Sequence, residues 1–306
     1  MTYFQFIHAV ETKVKKEVEE EKTVSIHTNV KNNGVRRSGI MISEKGINIS
    51  PTIYLEEYFH QFRMGYPLEQ IAKDIVGLYE KIRFQNSWED GEKVKDYEFV
   101  KDKIIYRLIG REENRELLKE IPYKSYLDLA IIYYVLLEVD EYGMASMMVR
   151  AEHMDMWKVT EEDLYYRASK NTQELLPYEF APMRTVIEEL LGLGMEEGPA
   201  EKMYILSNEM RSYGAAILYE GLLEQCVRKF PGDVFVIPSS VHETIIVAES
   251  EAPGREELGS MIEEINETQV EAEEVLSDRA YYYDRESGKV VFSDFGELLF
   301  THFGLS

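Results

Sequence analysis

The sequence predicts an α+β protein, with helices and mainly antiparallel sheets mixed along the chain and arranged in two lobes. Some segments carry apolar residues at helical spacing, whereas others are short, β-branched and bounded by turn signals. These segments follow one another without the regular strand–helix–strand alternation of a parallel sheet. With 306 residues, 44% of them apolar, the chain is long enough to bury a large core.

The first fifty residues predict a helix followed by a small antiparallel meander. Residues 3–18 carry their apolar side chains on one helical stripe. Residues 23–30 and 35–42 predict two strands, joined by an Asn-Asn-Gly turn at 32–34. A short third strand is predicted at 47–49.

Two further helices are predicted in the first lobe. Ser50 has the character of an N-cap and Pro51 that of a first helical residue, so a helix is expected to start here and to end at Gly65. Pro67 then begins a second helix with a clear apolar stripe.

The segment 85–95 is polar and contains an Asp-Gly pair, which is typical of a loop or a linker. We therefore expect an N-terminal α+β lobe over residues 1–90 and an acidic C-terminal α+β lobe over 91–306.

The second lobe contains its own mixture of predicted elements. The run LAIIYYVLL at 129–137 is rich in β-branched and aromatic residues, which favours a buried strand, with a buried helix as the alternative. Thr160, followed by three acidic residues, predicts a helix that runs to about residue 176. The other predicted helices lie at 222–230 and 256–268, and in the second of these Leu258, Ile262 and Ile265 are expected to face inward. The other predicted strands lie at 143–149, 203–206, 215–219, 234–237, 243–247, 281–283 and 290–292.

Negative charge is distributed unevenly along the chain, whose formal net charge is -23. Residues 1–150 hold 22 Lys and Arg against 25 Asp and Glu, whereas residues 151–306 hold 12 against 32. Eleven of these acidic residues fall within 249–278. Such a surface repels nucleic acids and acidic membranes and attracts basic surfaces, so we expect a basic protein as partner, with no direct nucleic-acid binding and no membrane association.

Composition also limits the classes of chemistry. Cys226 is the only cysteine, so neither an intrachain disulfide nor a thiolate cluster is possible. The first residues lack the pattern of a signal peptide, and no apolar run is long enough to span a bilayer, which predicts a cytoplasmic protein. Glycine-rich phosphate-binding motifs are absent, so no cofactor is expected.

One short segment carries the residue types of hydrolytic catalysis. Ser239, Ser240, His242 and Glu243 lie within five positions, and a hydrolase needs a hydroxyl activated by a base that an acid orients. In an extended segment Ser240 and His242 would share one face and Glu243 the other, which is a poor arrangement for a local triad. The alternative interpretation is a corner between strands, with the serines bonded to backbone groups.

A second segment carries metal-ligating residue types at helical spacing. Glu56 and Glu57 lie four and three positions before His60, so each pair could share one helical face. Carboxylate-bridged metal centres in helical bundles use Glu-x-x-His twice together with two more glutamates, and the rest of this pattern is absent. The alternative interpretation is a helix face stabilised by paired side chains.

Several stretches, taken in order along the chain, resemble an uncharacterised bacterial family known only as a domain of unknown function and found in anaerobic Gram-positive gut bacteria. The stretches are NISPTIYLEE (48–57), AEHMDMW (151–157), YGAAILYEGLLEQ (213–225), DVFVIPSSVHE (233–243), INETQVEAEEVLSD (265–278) and YYYDR (281–285). The resemblance implies a bacterial cytoplasmic origin and assigns no role to any residue.

Two functional hypotheses follow from the sequence. The first is a non-enzymatic cytoplasmic protein whose acidic second half contacts a basic protein surface, with mimicry of nucleic acid as a sharper version. The second is a hydrolase that uses Ser239 or Ser240 with His242. The first is favoured by the charge asymmetry and by the weakness of the catalytic motifs.

Overall fold

The chain divides into two compact units, Met1–Asp96 and Tyr97–Ser306. The computed structural model describes residues 1–47, 50–83, 92–140, 143–192, 201–208, 214–238 and 240–293. The predicted lobe boundary at residues 90 and 91 lies outside these ranges, so its exact position stays a prediction.

The N-terminal unit combines three helices with one antiparallel sheet. In chain order its elements are α1 (Tyr3–Glu17), β1 (Lys22–Val30), β2 (Arg36–Glu44), β3 (Thr52–Tyr54), α2 (Glu56–Arg63) and α3 (Leu68–Ile82). The sheet has the order β1-β2-β3. The predicted first helix, the hairpin and the helix after Pro67 are thereby confirmed.

Local chemistry explains where these elements begin and how they pack. Thr2 caps α1 by accepting the Gln5 amide N–H at 3.3 Å, while the Gln5 side chain accepts the Thr2 N–H at 2.9 Å. The hairpin register places Val24 opposite Ile42, both buried, on the face that packs with the helices. Phe6 of α1 is fully buried in the same core.

The predicted helix start at Ser50 and Pro51 is wrong. Residues 52–54 form β3 instead, which pairs with β2, and α2 begins at Glu56 with Leu55 as its N-cap. Ile53 lies in this strand and is 5% exposed, so its apolar side chain packs in the core as part of the sheet rather than of a helix. A Ser-Pro start signal was outweighed by the pairing offered by the neighbouring strand edge.

The C-terminal unit holds the remaining elements. They are α4 (Tyr97–Val100), β4 (Ile104–Gly110), β5 (Tyr123–Tyr126), β6 (Leu129–Asp140), β7 (Gly143–Met148), α5 (Ala151–Trp157), α6 (Glu161–Leu175), β8 (Tyr178–Pro182), α7 (Met183–Leu191), β9 (Met203–Asn208), α8 (Leu222–Val227), β10 (Val234–Ile237), β11 (Thr244–Ala248), α9 (Arg255–Thr268), β12 (Tyr281–Asp284) and β13 (Lys289–Phe292).

Two antiparallel sheets organise this unit within the described ranges. In one, β6 pairs with β4 along one edge and with β5 and β7 along the other. The second has the order β13-β12-β10-β11-β9-β8. Together with the helices between the strands, they confirm the predicted α+β class and the strand assigned to residues 129–137.

Helix α6 begins as its sequence predicts and packs on β4. The Asp163 amide N–H donates to Thr160 Oγ1 at 3.2 Å, and Asp163 Oδ2 accepts the Thr160 N–H at 2.9 Å, which completes a capping box. Buried Thr172 accepts the Tyr106 N–H at 3.1 Å, and Asn171 donates to the Ile104 carbonyl at 2.9 Å. These bonds tie the end of the helix to the strand.

A polar cluster of half-buried Asp128 with buried Ser277 and Tyr281 connects the two sheets of the C-terminal unit. Asp128, in the turn between β5 and β6, accepts the Tyr281 hydroxyl at 2.5 Å and the Ser277 hydroxyl at 2.7 Å. Tyr281 is fully buried at the start of β12. Burial, followed by the nearby Asp128 charge, raises the pKa of Tyr281, so the phenol stays a hydrogen-bond donor.

Two predictions in this unit are wrong in detail. Residues 215–218 form a single 3-10 turn rather than a strand, preceded by Gly214 in the left-handed region with φ +59°. In α9, Ile265 was expected to face inward but is 40% exposed. The inward position belongs to Asn266, which donates to the Ser277 carbonyl at 3.0 Å and to Asp278 at 2.8 Å.

Some predicted features lie outside the described residues, namely Asn48 and Ile49 of the third strand and residues 85–91 of the polar segment. Over the ranges that the structure does describe, every helix is too short or too polar to cross a bilayer.

Candidate functional site

The predicted hydrolytic segment forms the corner between β10 and β11. Ser240 is 5% exposed, and its Oγ accepts the His242 amide N–H at 3.1 Å. Its own amide N–H donates to the Glu243 carbonyl at 3.4 Å. The Ser240 hydroxyl therefore stabilises a tight turn. The other candidate serine, Ser239, lies outside the described residues.

The His242 imidazole pairs with an acid that the sequence argument did not single out. Its Nε2 lies 3.1 Å from Glu274 Oε1, and both side chains are about two-fifths exposed. The backbone aligns the two segments, since the Val241 N–H donates to the Glu274 carbonyl at 2.9 Å and Ser240 bridges to Val275. An imidazole oriented by a carboxylate supplies two of the three members of a catalytic triad.

Glu243, the acid proposed for this site, has a different environment. It lines a cavity of about 20 Å³ together with residues of β8, β9 and α7, including Ser207 and Ile205. This volume is enough for a water molecule and too small for a substrate. The structure therefore brings His242 together with Glu274, and it uses Ser240 as a turn residue.

The three candidate metal ligands on α2 have separate environments. Glu56 Oε1 accepts the Tyr3 hydroxyl at 2.6 Å and the Ser38 amide N–H at 2.8 Å, which anchors the start of α2 to α1 and β2. Glu57 and His60 are exposed. Across the described ranges, no group of three or more His, Cys, Asp or Glu side chains is placed to hold a metal ion.

The only cysteine of the chain lies in α8 and has the character of a core residue. Cys226 is 2% exposed, and burial raises the pKa of its thiol to about 11. At neutral pH the thiol is protonated, which disfavours a role as nucleophile.

Helix α9 has an apolar side in the core and a row of exposed acidic side chains. Leu258 and Ile262 pack into a core formed with β10 and β11. Five exposed glutamates share the outward side, and we call this set the α9 acidic face: Glu256, Glu257, Glu263, Glu264 and Glu267. Within the described part of the chain none of the five forms an ion pair.

Two apolar side chains accompany the α9 acidic face. Met261 and Ile265 are 41% and 40% exposed and lie four residues apart, so they are neighbours on the helix surface. The basic residues near the start of the helix are already paired, because Arg255 lies 3.6 Å from Glu249 and Lys202 lies 2.5 Å from Glu251. The face is therefore anionic with an apolar edge.

The fold defines an α+β protein built from two units. The chain belongs to DUF5688, a family of unknown function, whose model matches residues 3–285. Comparison with curated proteins finds no match, and comparison with solved structures finds none either.

Proposed function

We propose that this protein acts by binding another protein, and that the α9 acidic face is the part of its surface that contacts a basic partner. The observation that carries this proposal is the set of five exposed glutamates without ion-pair partners among the described residues. Residues 97–306 contain 42 Asp and Glu against 20 Lys and Arg, so the face belongs to a strongly negative unit. Such a field speeds the encounter with a basic surface.

The apolar edge supports a specific contact as well as an attraction at long range. Exposed Met261 and Ile265 supply surface whose burial strengthens a complex after the charges have brought the partners together. A basic partner with an apolar patch matches both features. Nucleic-acid mimicry is the narrower form of this proposal, in which the glutamate row occupies the phosphate site of a DNA-binding protein.

The experiment compares two variants with the same change in net charge. Glu263, Glu264 and Glu267 are replaced by Gln in one variant, and exposed Glu174, Glu220 and Glu286 in the other. Immobilised wild-type protein and both variants are exposed to bacterial lysate at low and high salt, and the captured proteins are identified. The proposal expects basic proteins that the α9 variant loses, that the control variant retains, and that high salt releases.

Equal capture by the two variants would show that net charge, rather than the α9 acidic face, determines binding. For the narrower form, added duplex DNA should displace the protein from its captured partner in proportion to the DNA concentration. Indifference to DNA would reject mimicry and leave the basic-surface proposal standing.

A hydrolase remains the second candidate, because the His242–Glu274 pair could orient an imidazole base. Ser240 Oγ already accepts a backbone N–H and is nearly buried, which weighs against it as nucleophile. A serine-reactive fluorophosphonate probe tests the candidate. Labelling that His242→Ala abolishes would favour the hydrolase over the interaction protein.

A further inference from the structure

A surface cavity of about 590 Å³ lies between α2 and α3 of the N-terminal unit. Its lining consists of His60, Gln61, Met64, Gly65, Tyr66 and Asp74. The cavity is largely open to solvent, so a ligand would rest against its lining side chains rather than be enclosed by them. The cavity is distinct from the α9 acidic face, which belongs to the other unit.

The end of α2 is closed by a turn that fixes one wall of the cavity. The Gly65 N–H donates to the Phe62 carbonyl and the Tyr66 N–H to the Gln61 carbonyl, both at 3.0 Å. Gly65 has φ +97°, a conformation that glycine adopts without strain. This pair of bonds defines a Schellman motif and sets the position of Tyr66.

Asp74 supplies a carboxylate without a cationic partner. Its two oxygens accept the Tyr66 hydroxyl at 3.1 Å and the Gln70 side-chain amide at 2.9 Å, both neutral donors. Two glutamates of the same helix differ in this respect, since Glu69 is bonded to Lys13 and Glu80 to Lys22, each at 2.6 Å. In the described part of the chain Asp74 forms no ion pair.

The surroundings of Asp74 suit a cation that is partly apolar. Tyr66 is 40% exposed and offers an aromatic ring, and Met64 is 78% exposed and offers a polarisable thioether. The last carbonyl groups of α2 accept the Met64, Gly65 and Tyr66 N–H groups, so the negative charge of this site comes from Asp74.

We propose that this cavity binds an organic ammonium group, with Asp74 as its counter-ion and Tyr66 as the aromatic surface against which it rests. The ammonium group belongs either to a small molecule or to a lysine side chain of another protein. Carboxylates beside aromatic rings recognise such groups because charge and cation–π attraction act together. The proposal does not depend on the function proposed for the α9 acidic face.

The test is an NMR titration of the full-length, ¹⁵N-labelled protein with matched probes. Choline and tert-butylammonium carry the charge, and tert-butanol has the shape of the latter without it. We expect saturable shifts of the Gln61, Met64, Tyr66 and Asp74 amides with both cations, and at least tenfold weaker binding of tert-butanol. Equal binding of tert-butanol would overturn the proposal.

Variants separate the carboxylate from general electrostatics. Asp74→Asn should lower the affinity for both cations at least tenfold. The control variant is Glu17→Gln, which removes one charge from the last residue of α1, outside the cavity lining, and should leave the affinity unchanged. Unchanged affinity in Asp74→Asn would overturn the proposal. If that variant fails to fold, Tyr66→Ala provides the second test, with an expected loss of threefold or more.

A further ligand identifies the source of the ammonium group. Nα-acetyl-lysine methylamide keeps the ε-ammonium group of a lysine side chain. If this compound shifts the same four amides, the site is assigned to a lysine of another protein. If choline binds and the lysine derivative does not, the site is assigned to a small molecule. Failure of all three cations to bind would overturn the assignment, whatever the outcome of the α9 experiment.

Discussion

The two units of the protein differ in how far their negative charges are balanced by positive ones. Residues 1–96 contain 14 Lys and Arg against 15 Asp and Glu, and residues 97–306 contain 20 against 42. In the N-terminal unit, Lys22 is 10% exposed and bonds Glu80 at 2.6 Å, while Arg83 bonds Glu44 at 2.9 Å. The glutamates of the α9 acidic face form no such pairs within the described residues.

This difference separates charges that are paired within the fold from charges that face solvent without an ion-pair partner among the described residues. The N-terminal unit uses opposite charges to join α3 to the sheet, so Glu80 and Glu44 are compensated there. The C-terminal unit joins its sheets with hydroxyl–carboxylate bonds around Asp128 and leaves α9 uncompensated on its outer side. Unpaired surface charge costs little stability in water and creates a long-range field, which suits recognition.

The largest expected effect concerns the polar cluster of the C-terminal unit. Asp128→Ala removes the acceptor of both the Tyr281 and the Ser277 hydroxyls, and we expect a loss of about 3 kcal/mol in the free energy of unfolding, because buried donors are left unsatisfied. Tyr281→Phe should cost less, about 1.5 kcal/mol, since Asp128 keeps its bond to Ser277.

Urea unfolding measures this prediction. In a Trp88→Phe background Trp157 is the only tryptophan, and it is 6% exposed in the C-terminal unit, so its fluorescence reports on that unit. A loss below 1 kcal/mol for Asp128→Ala would contradict the view that this cluster joins the two sheets.

A smaller effect is expected from the ion pairs of the N-terminal unit, and it depends on pH. The hydrogen bond from Lys22 holds the pKa of Glu80 below its ordinary value of 4.5, so the bond stabilises the fold above that pH and its contribution disappears as pH falls through the folded-state pKa. Burial alone would lower the pKa of Lys22, but Glu80 and Glu44 raise it overall, so its charge persists across this range.

Lys22→Met should therefore cost about 1 kcal/mol at pH 7, a modest value because Glu80 is 42% exposed and water screens the pair. The difference from the wild type should shrink below pH 4. Urea unfolding followed by the NMR signals of β1 and β2 at both pH values provides the measurement. A cost that stays constant with pH would show that Lys22 acts through packing instead.

The sequence predicted the fold well where one local signal dominated. The stripe of α1, the Asn-Asn-Gly hairpin and the acidic start of α6 each have a single favourable structure, and the structure confirms them. Prediction failed where tertiary contacts decided the outcome. Residues Thr52–Tyr54 form a strand because they pair with the edge of β2. On α9, Asn266 faces inward in place of Ile265 because its side-chain amide donates to the Ser277 carbonyl and to Asp278.

The candidate sites show the same limit. The abundance of acidic residues on α9 could be predicted from the sequence, whereas the absence of ion pairs at Glu263 and Glu267 within the described residues depends on how the chain folds. The partner of His242 could not be found from the sequence, because Glu274 lies 32 positions away and reaches it through the pairing of Ser240 with Val275. Spacing identifies neighbours on one element and says little about neighbours that a fold brings together.

The smallest expected effect is the most informative one for function. Replacing Glu263, Glu264 and Glu267 by Gln should change the free energy of unfolding by less than about 0.5 kcal/mol, because exposed charges without partners contribute little to stability. A slight gain is expected, since Glu263 and Glu267 are like charges four residues apart on one helix. The Trp157 fluorescence assay measures the change, with the Glu174, Glu220 and Glu286 variant as control. A loss above 1 kcal/mol would assign these glutamates to the fold, whereas unchanged stability together with lost partner binding would assign them to recognition.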